Sequence, residues 1–170
     1  MSTDVIRQRA GKFERTISRR NLREYLMSLL VVILFAYFFV KADNTLFRIT
    51  WGLFIAGMIW MVVQLHRKGS ARGIPAAMGA SSCVEFFRAE LERQRAVVSN
   101  VWPWYLAPLV PGFVAYTVAY ALEFPRPLSW AGLALIDALV AALFFWIWKM
   151  NARAARCLQR MIDELSIPGN

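Results

Sequence analysis

Four stretches of this chain, residues 25–40, 49–65, 96–122 and 127–148, hold a single charged residue between them, Asp137. A helix needs about 20 predominantly apolar residues to cross a ~30 Å hydrocarbon core, and about 16 suffice when flanking cations snorkel outward. A water-soluble domain spreads its apolar residues at helical or strand periods. Here they come in blocks, separated by polar and basic segments. The pattern predicts an all-α polytopic membrane protein with four transmembrane helices. Two further amphipathic helices are expected at or below the membrane face.

The charges give an orientation. Of the 20 Lys and Arg residues, 17 lie in residues 1–24, residues 66–95 and the tail from Lys149. The two short connections hold only Lys41, Arg48 and Arg126. Loops retained in the cytoplasm are enriched in Lys and Arg, so both termini and the middle loop are expected there. The same rule and the pull of anionic headgroups account for the formal charge of +9 without nucleic acid. No base-reading module is present, so no nucleic-acid partner is expected. The first span lies behind a basic 24-residue segment, is too long for a signal's apolar region and lacks a small-x-small exit, so a cleavable signal is not expected. Cys83 and Cys157 fall on the cytoplasmic side and are expected to be reduced and separate.

The order along the chain is a basic segment (1–24), a transmembrane hairpin (25–65), a cytoplasmic linker and helix (66–101), a second hairpin (102–149) and a tail (150–170). In the first segment Ile6, Ala10, Phe13 and Ile17 recur at helical spacing beside a basic edge of Arg15, Arg19 and Arg23. Such a helix either lies in the headgroup plane, with those arginines toward anionic lipid, or extends the first span into the cytoplasm. Gly69, Gly73, Pro75 and Gly79 mark residues 67–81 as a linker. Ser82 and Glu85 have capping-box spacing. After them Val84, Phe87, Leu91, Gln94, Val98 and Val101 step by threes and fours, the seam of a helix contact with one polar position in it. That seam is free to pack on the first helix, on the tail or on another protein. The halves echo each other, which makes a parallel two-fold arrangement the simplest to draw.

Asp137 is the leading candidate for chemistry. It lies mid-span, about ten residues or ~15 Å from either end of its stretch. An ionised carboxylate there costs ~2.5 kcal/mol or more, so it must face other helices or be protonated. Ala134, Ala138, Ala141 and Ala142 give its helix a surface for close approach. Tyr116, Thr117 and Tyr120 are candidate donors from the third span, with Thr50 from the second. The functional readings are a proton or cation site, or a carboxylate awaiting a basic residue from a partner helix. The structural reading is an acid hydrogen-bonded between helices.

Pro108, Pro111 and Gly112 interrupt the third span, and Pro103 suits its first turn. A bend or unwound segment is expected there, as a packing feature or a hinge. Gly52, Ala56 and Gly57 form a close-packing patch, internal or at a dimer interface. Trp51, Trp102, Trp104, Tyr105, Trp130, Trp146 and Trp148 fall at expected membrane boundaries, as does Tyr25. The one histidine, His66, excludes paired-histidine haem and is expected to cap its helix at the interface. No phosphate loop, dinucleotide fingerprint or catalytic elbow occurs, so no catalytic residue, cofactor or metal is expected.

The runs KFERTISRRNLREY (12–25), LHRKGSA (65–71), ELERQR (90–95) and VWPWYLAPLVPG (101–112) resemble a group of small uncharacterised bacterial inner-membrane proteins. The resemblance covers the chain to about Gly112. It implies four spans in a bacterial inner membrane and, since some members resemble neighbours of alternative sigma-factor genes, a regulatory setting. It brings no catalytic residues.

Patterned cytoplasmic helices beside brief outer turns point to a non-enzymatic accessory or regulatory protein. Residues 1–24 and 82–101 would bind a membrane or cytoplasmic partner, or a second copy. The competing expectations are an oligomeric proton, ion or solute transporter built on Asp137, and a structural protein that contacts lipid.

Overall fold

The structure, a computed structural model, describes residues 3–70, 80–124 and 127–166, with side chains over 8–70, 82–124 and 130–165. Among these residues the structure is helical, without strands, and holds five α-helices. Helix α1 spans Thr3–Lys41, α2 Thr45–Gly69, α3 Ala80–Ser99, α4 Val110–Glu123 and α5 Pro127–Ser166. Four stretches, in α1, α2, α5 and the Trp102–Glu123 segment that ends in α4, are long and apolar enough to cross a membrane.

The basic segment and the first span are one rod. Residues 18–41 contain no Gly or Pro, and nothing breaks the backbone at Tyr25. At 1.5 Å per residue the 39 residues of α1 run ~58 Å, about twice the hydrocarbon thickness. Helix α5 does the same with 40 residues, carrying the fourth span and the tail without interruption. A separate N-terminal helix in the headgroup plane is therefore replaced by a straight extension. Of the two extra helices expected, only α3 is an independent element.

The extensions and α3 form a three-helix bundle at the basic end. Its core is Ala10, Cys83, Phe87, Leu91 and Ile162, flanked by Phe13, Val84, Leu158, Met161 and Leu165. Phe13 meets Phe87 edge-on at 6.0 Å. The α3 seam is thus used within the chain, on α1 and α5: Phe87, Leu91 and Val98 are buried and Val84 partly so. Its polar position also has a use. The last carbonyls of a helix lack intrahelical donors, and those of α2 are capped from both neighbours. Asn21 of α1 donates to the Gly69 carbonyl at 2.8 Å. Arg93 of α3 donates to the carbonyls of Lys68 (3.1 Å) and Ser70, and Gln94 reaches Ser70 at 3.5 Å. Glu90 holds Arg93 at 2.7 and 2.9 Å and accepts from Gln94 at 3.2 Å. Ser82 is already inside α3 rather than at its N-cap. Of the linker expected over 67–81, residues 67–69 belong to α2 and residues 80–81 to α3, while residues 71–79 lie outside those described.

Helix α2 is the centre of the apolar half. Its most apolar stretch is 28% buried, against 6% for those of α1 and α5. That inequality removes the two-fold arrangement, in which α2 and α5 would be equivalent. The α2 face of Thr50, Phe54, Gly57, Met58, Met61 and Leu65 packs inward. Rings connect it to both neighbours: Phe35 of α1 stacks on Phe54 at 5.0 Å, and Phe113 of α4 meets Phe54 edge-on at 4.8 Å. Trp51 belongs to this stack, 5.0 Å from Phe38, rather than serving only as a boundary anchor. At the far end the turn between α1 and α2 has only three residues, 42–44. Asn44 there caps α2 through the Leu46 N–H (2.8 Å) and donates to Glu123 at 2.7 Å.

The prolines act where expected and change the type of helix. Trp102–Leu106 is a π-turn and Ala107–Leu109 a 3₁₀ turn, with α4 regular from Val110. Pro108 and Pro111 cannot donate to the carbonyls one turn back, so the chain overwinds and underwinds to find other partners. The N–H of Ala107 takes the Trp102 carbonyl instead. The Pro108 carbonyl faces Gly57 so closely that a Cβ there would overlap it. The break is packed against α2, and the Gly57 part of the small-residue patch is an internal contact.

Candidate functional site

In the apolar half, α4 and α5 stand loosely together, and a groove of about 580 Å³ opens between them. Phe113 and Val114 of α4 and Asp137, Val140, Ala141 and Phe144 of α5 line it. Asp137 is half-buried. Thr117 Oγ1 stands 3.2 and 3.4 Å from its two carboxyl oxygens, and 3.1 Å from the carbonyl of Phe113. One hydroxyl proton serves both acceptors, so this chain satisfies at most one lone-pair position of the carboxyl through Thr117. No other hydrogen bond to Asp137 occurs among the described residues.

Of the donors expected from sequence, only Thr117 reaches the acid. Tyr116 packs its ring against Phe47, Trp51 and Tyr120, and Tyr120 leans on Phe124. Thr50 is buried and donates to the Leu46 carbonyl at 2.9 Å. Ala134, Ala138, Ala141 and Ala142, the surface read as allowing close helix approach, are all exposed. Pro108, Pro111 and Gly112 begin the helix that carries Thr117, and Gly112 sits against the Phe54 ring. The break positions the site without entering it.

The basic end holds a second cavity with polar walls, about 250 Å³ between α1, α2, α3, the π-turn and α5. Arg20, Arg23, Glu24, Tyr105 and Asn151 form its polar side. Tyr105 donates to Glu24 at 2.9 Å, and Trp104 fixes the π-turn by donating to the Val97 carbonyl at 3.1 Å. Neither contact has a signature in sequence spacing. His66 ends α2 with Nδ1 3.5 Å from the Tyr25 hydroxyl.

Arg15, Arg19 and Arg23 are all exposed. They sit at successive turns of the continuous helix α1. Cys83 is buried and Cys157 exposed, and no disulfide joins them; no metal-binding group of His, Cys, Asp and Glu occurs among the described residues.

No family model matches the chain, no curated protein is similar to it, and no solved structure matches it.

Proposed function

We propose that this chain is a non-enzymatic accessory or regulatory protein of a bacterial inner membrane, with both termini cytoplasmic, and that it engages its partner inside the bilayer. Large apolar side chains cover the outside of the four apolar stretches: Leu30, Ile33, Leu135 and Leu139 are each at least 57% exposed. Hydrocarbon is the medium that suits such a surface. The α3 seam, the first candidate for partner binding, is occupied by α1 and α5, so the partner surface moves to the α4–α5 groove.

One observation carries the reading: Asp137 opens into an apolar groove with, among the described residues, only Thr117 bonded to it. A polar group at that depth is costly unless paired. The spans of this chain contain no cation to pair with it. A second copy would bring a second carboxyl and no cation. The occupant that fits is a partner's membrane helix carrying a basic or amide residue near mid-bilayer, packed on the exposed alanines. A transport role has less support, since the proline break packs on Gly57 and no second Asp, Glu, Lys, Arg or His lies in the four apolar stretches.

Photo-crosslinking from position 138 in native membranes tests this. The expected adduct is to an apolar helix containing a Lys, Arg, Asn or Gln, lost on Asp137→Leu and absent on crosslinking from Leu22. Adducts to lipid alone, or to a second copy, overturn it.

A further inference from the structure

The geometry points to the basic-end pocket as a binding site for the phosphate of an anionic phospholipid. The argument begins with depth. The pocket walls come from the same end of all four apolar stretches: Arg23 and Glu24 just before the first, Leu65 at the end of the second, Val101 and Tyr105 at the start of the third, Ile147 and Met150 at the end of the fourth. In a bilayer those positions converge at the level of headgroup phosphates.

Charge comes next. Arg20 and Arg23 both reach the cavity, and neither makes an ion pair among the described residues; Arg20 donates only to Asn21, at 3.3 Å. Glu24, which attracts Arg20 and accepts from Tyr105, is the one acidic wall residue against two arginines, so the cavity keeps a surplus of positive charge. Two guanidinium groups a turn apart suit a phosphodiester, whose oxygens accept several N–H donors at once. Basic pockets between membrane helices at this level hold anionic headgroups.

Size and wall chemistry narrow the ligand further. At about 250 Å³ the cavity is smaller than pockets for drug-sized ligands, ~300–1,000 Å³. It admits the phosphate and glycerol of a lipid and excludes the chains. Val97, Val98, Ile147 and Met150 then supply apolar walls where the acyl chains begin. Free phosphate would gain nothing from those walls.

The test titrates the purified full chain, in neutral detergent, with phosphatidylglycerol, phosphatidylcholine and inorganic phosphate, read by native mass spectrometry. Three variants accompany it: Arg20→Gln/Arg23→Gln, the charge-matched Arg15→Gln/Arg19→Gln, and Ala154→Phe, which fills the cavity and keeps its charges. The expected result is preference for phosphatidylglycerol over both other probes. Affinity falls about thirtyfold in Arg20→Gln/Arg23→Gln, at about fivefold per basic residue, and falls in Ala154→Phe, but holds in Arg15→Gln/Arg19→Gln. Equal loss in both double variants would show diffuse surface charge and overturn the site. So would unchanged affinity in Ala154→Phe, which stands as the test if Arg20→Gln/Arg23→Gln fails to fold. Equal affinity for inorganic phosphate overturns the lipid assignment.

Discussion

Gly57 shows how one residue decides a helix contact. A Cβ at this position would overlap the Pro108 carbonyl oxygen and sit 3.0 Å from the carbonyl carbon, and backbone cannot rotate away as a side chain does. Gly11, also helical, has nothing within 4 Å of its own added Cβ. Alanine in an unobstructed helix interior is favoured over glycine by up to ~1 kcal/mol. Gly11→Ala should therefore raise the thermal midpoint in detergent, while Gly57→Ala lowers it by the equivalent of ~1–3 kcal/mol through overpacking. The same sign for both would contradict the close approach of α2 to the proline break. Of these contacts the sequence showed the small residue at Gly57 and the prolines at 108 and 111, but not that they meet. Spacing within one helix carries no information on which helix lies opposite. For the same reason Asp137 was legible as a mid-span acid and Thr117 as one of four candidate donors, with the choice left to how the helices face one another.

At the scale of the element, helicity, the number of spans and the proline break were all legible, because block hydrophobicity and a missing N–H act locally. What was not legible is continuity. Basic residues after an apolar run look alike whether the chain turns into the membrane plane or runs straight on. The absence of Gly and Pro across residues 18–41 was the available signal, and it favours the straight rod. That continuity gives α3 its role, since two extensions reaching past the membrane leave a cleft that its seam fills. Leu91 is fully buried there, and Leu91→Ala should cost ~2–5 kcal/mol within the bundle. Because the bundle lies outside the apolar half, the loss should appear as local opening. Cys83, also fully buried, should become reactive to maleimide at least tenfold faster, with Cys157 unchanged. Simultaneous loss of the spans' helicity would argue against a separable bundle.

For the molecule as a whole, the division into an apolar half and a basic bundle sets everything else: the depth of Asp137, the level of the Arg20–Arg23 pocket, and a partner sought inside the bilayer. It rests on hydrocarbon covering the exposed leucines and isoleucines of α1 and α5, with the bundle on the cytoplasmic side. Thiol labelling of bacterial cells tests it most directly, using Cys157 at the basic end and an Asp43→Cys variant, in a Cys157→Ser background, at the opposite turn. An impermeant maleimide should label position 43 in intact cells and Cys157 only after permeabilisation. Labelling of Cys157 in intact cells, or recovery of the protein in the soluble fraction without detergent, would contradict it.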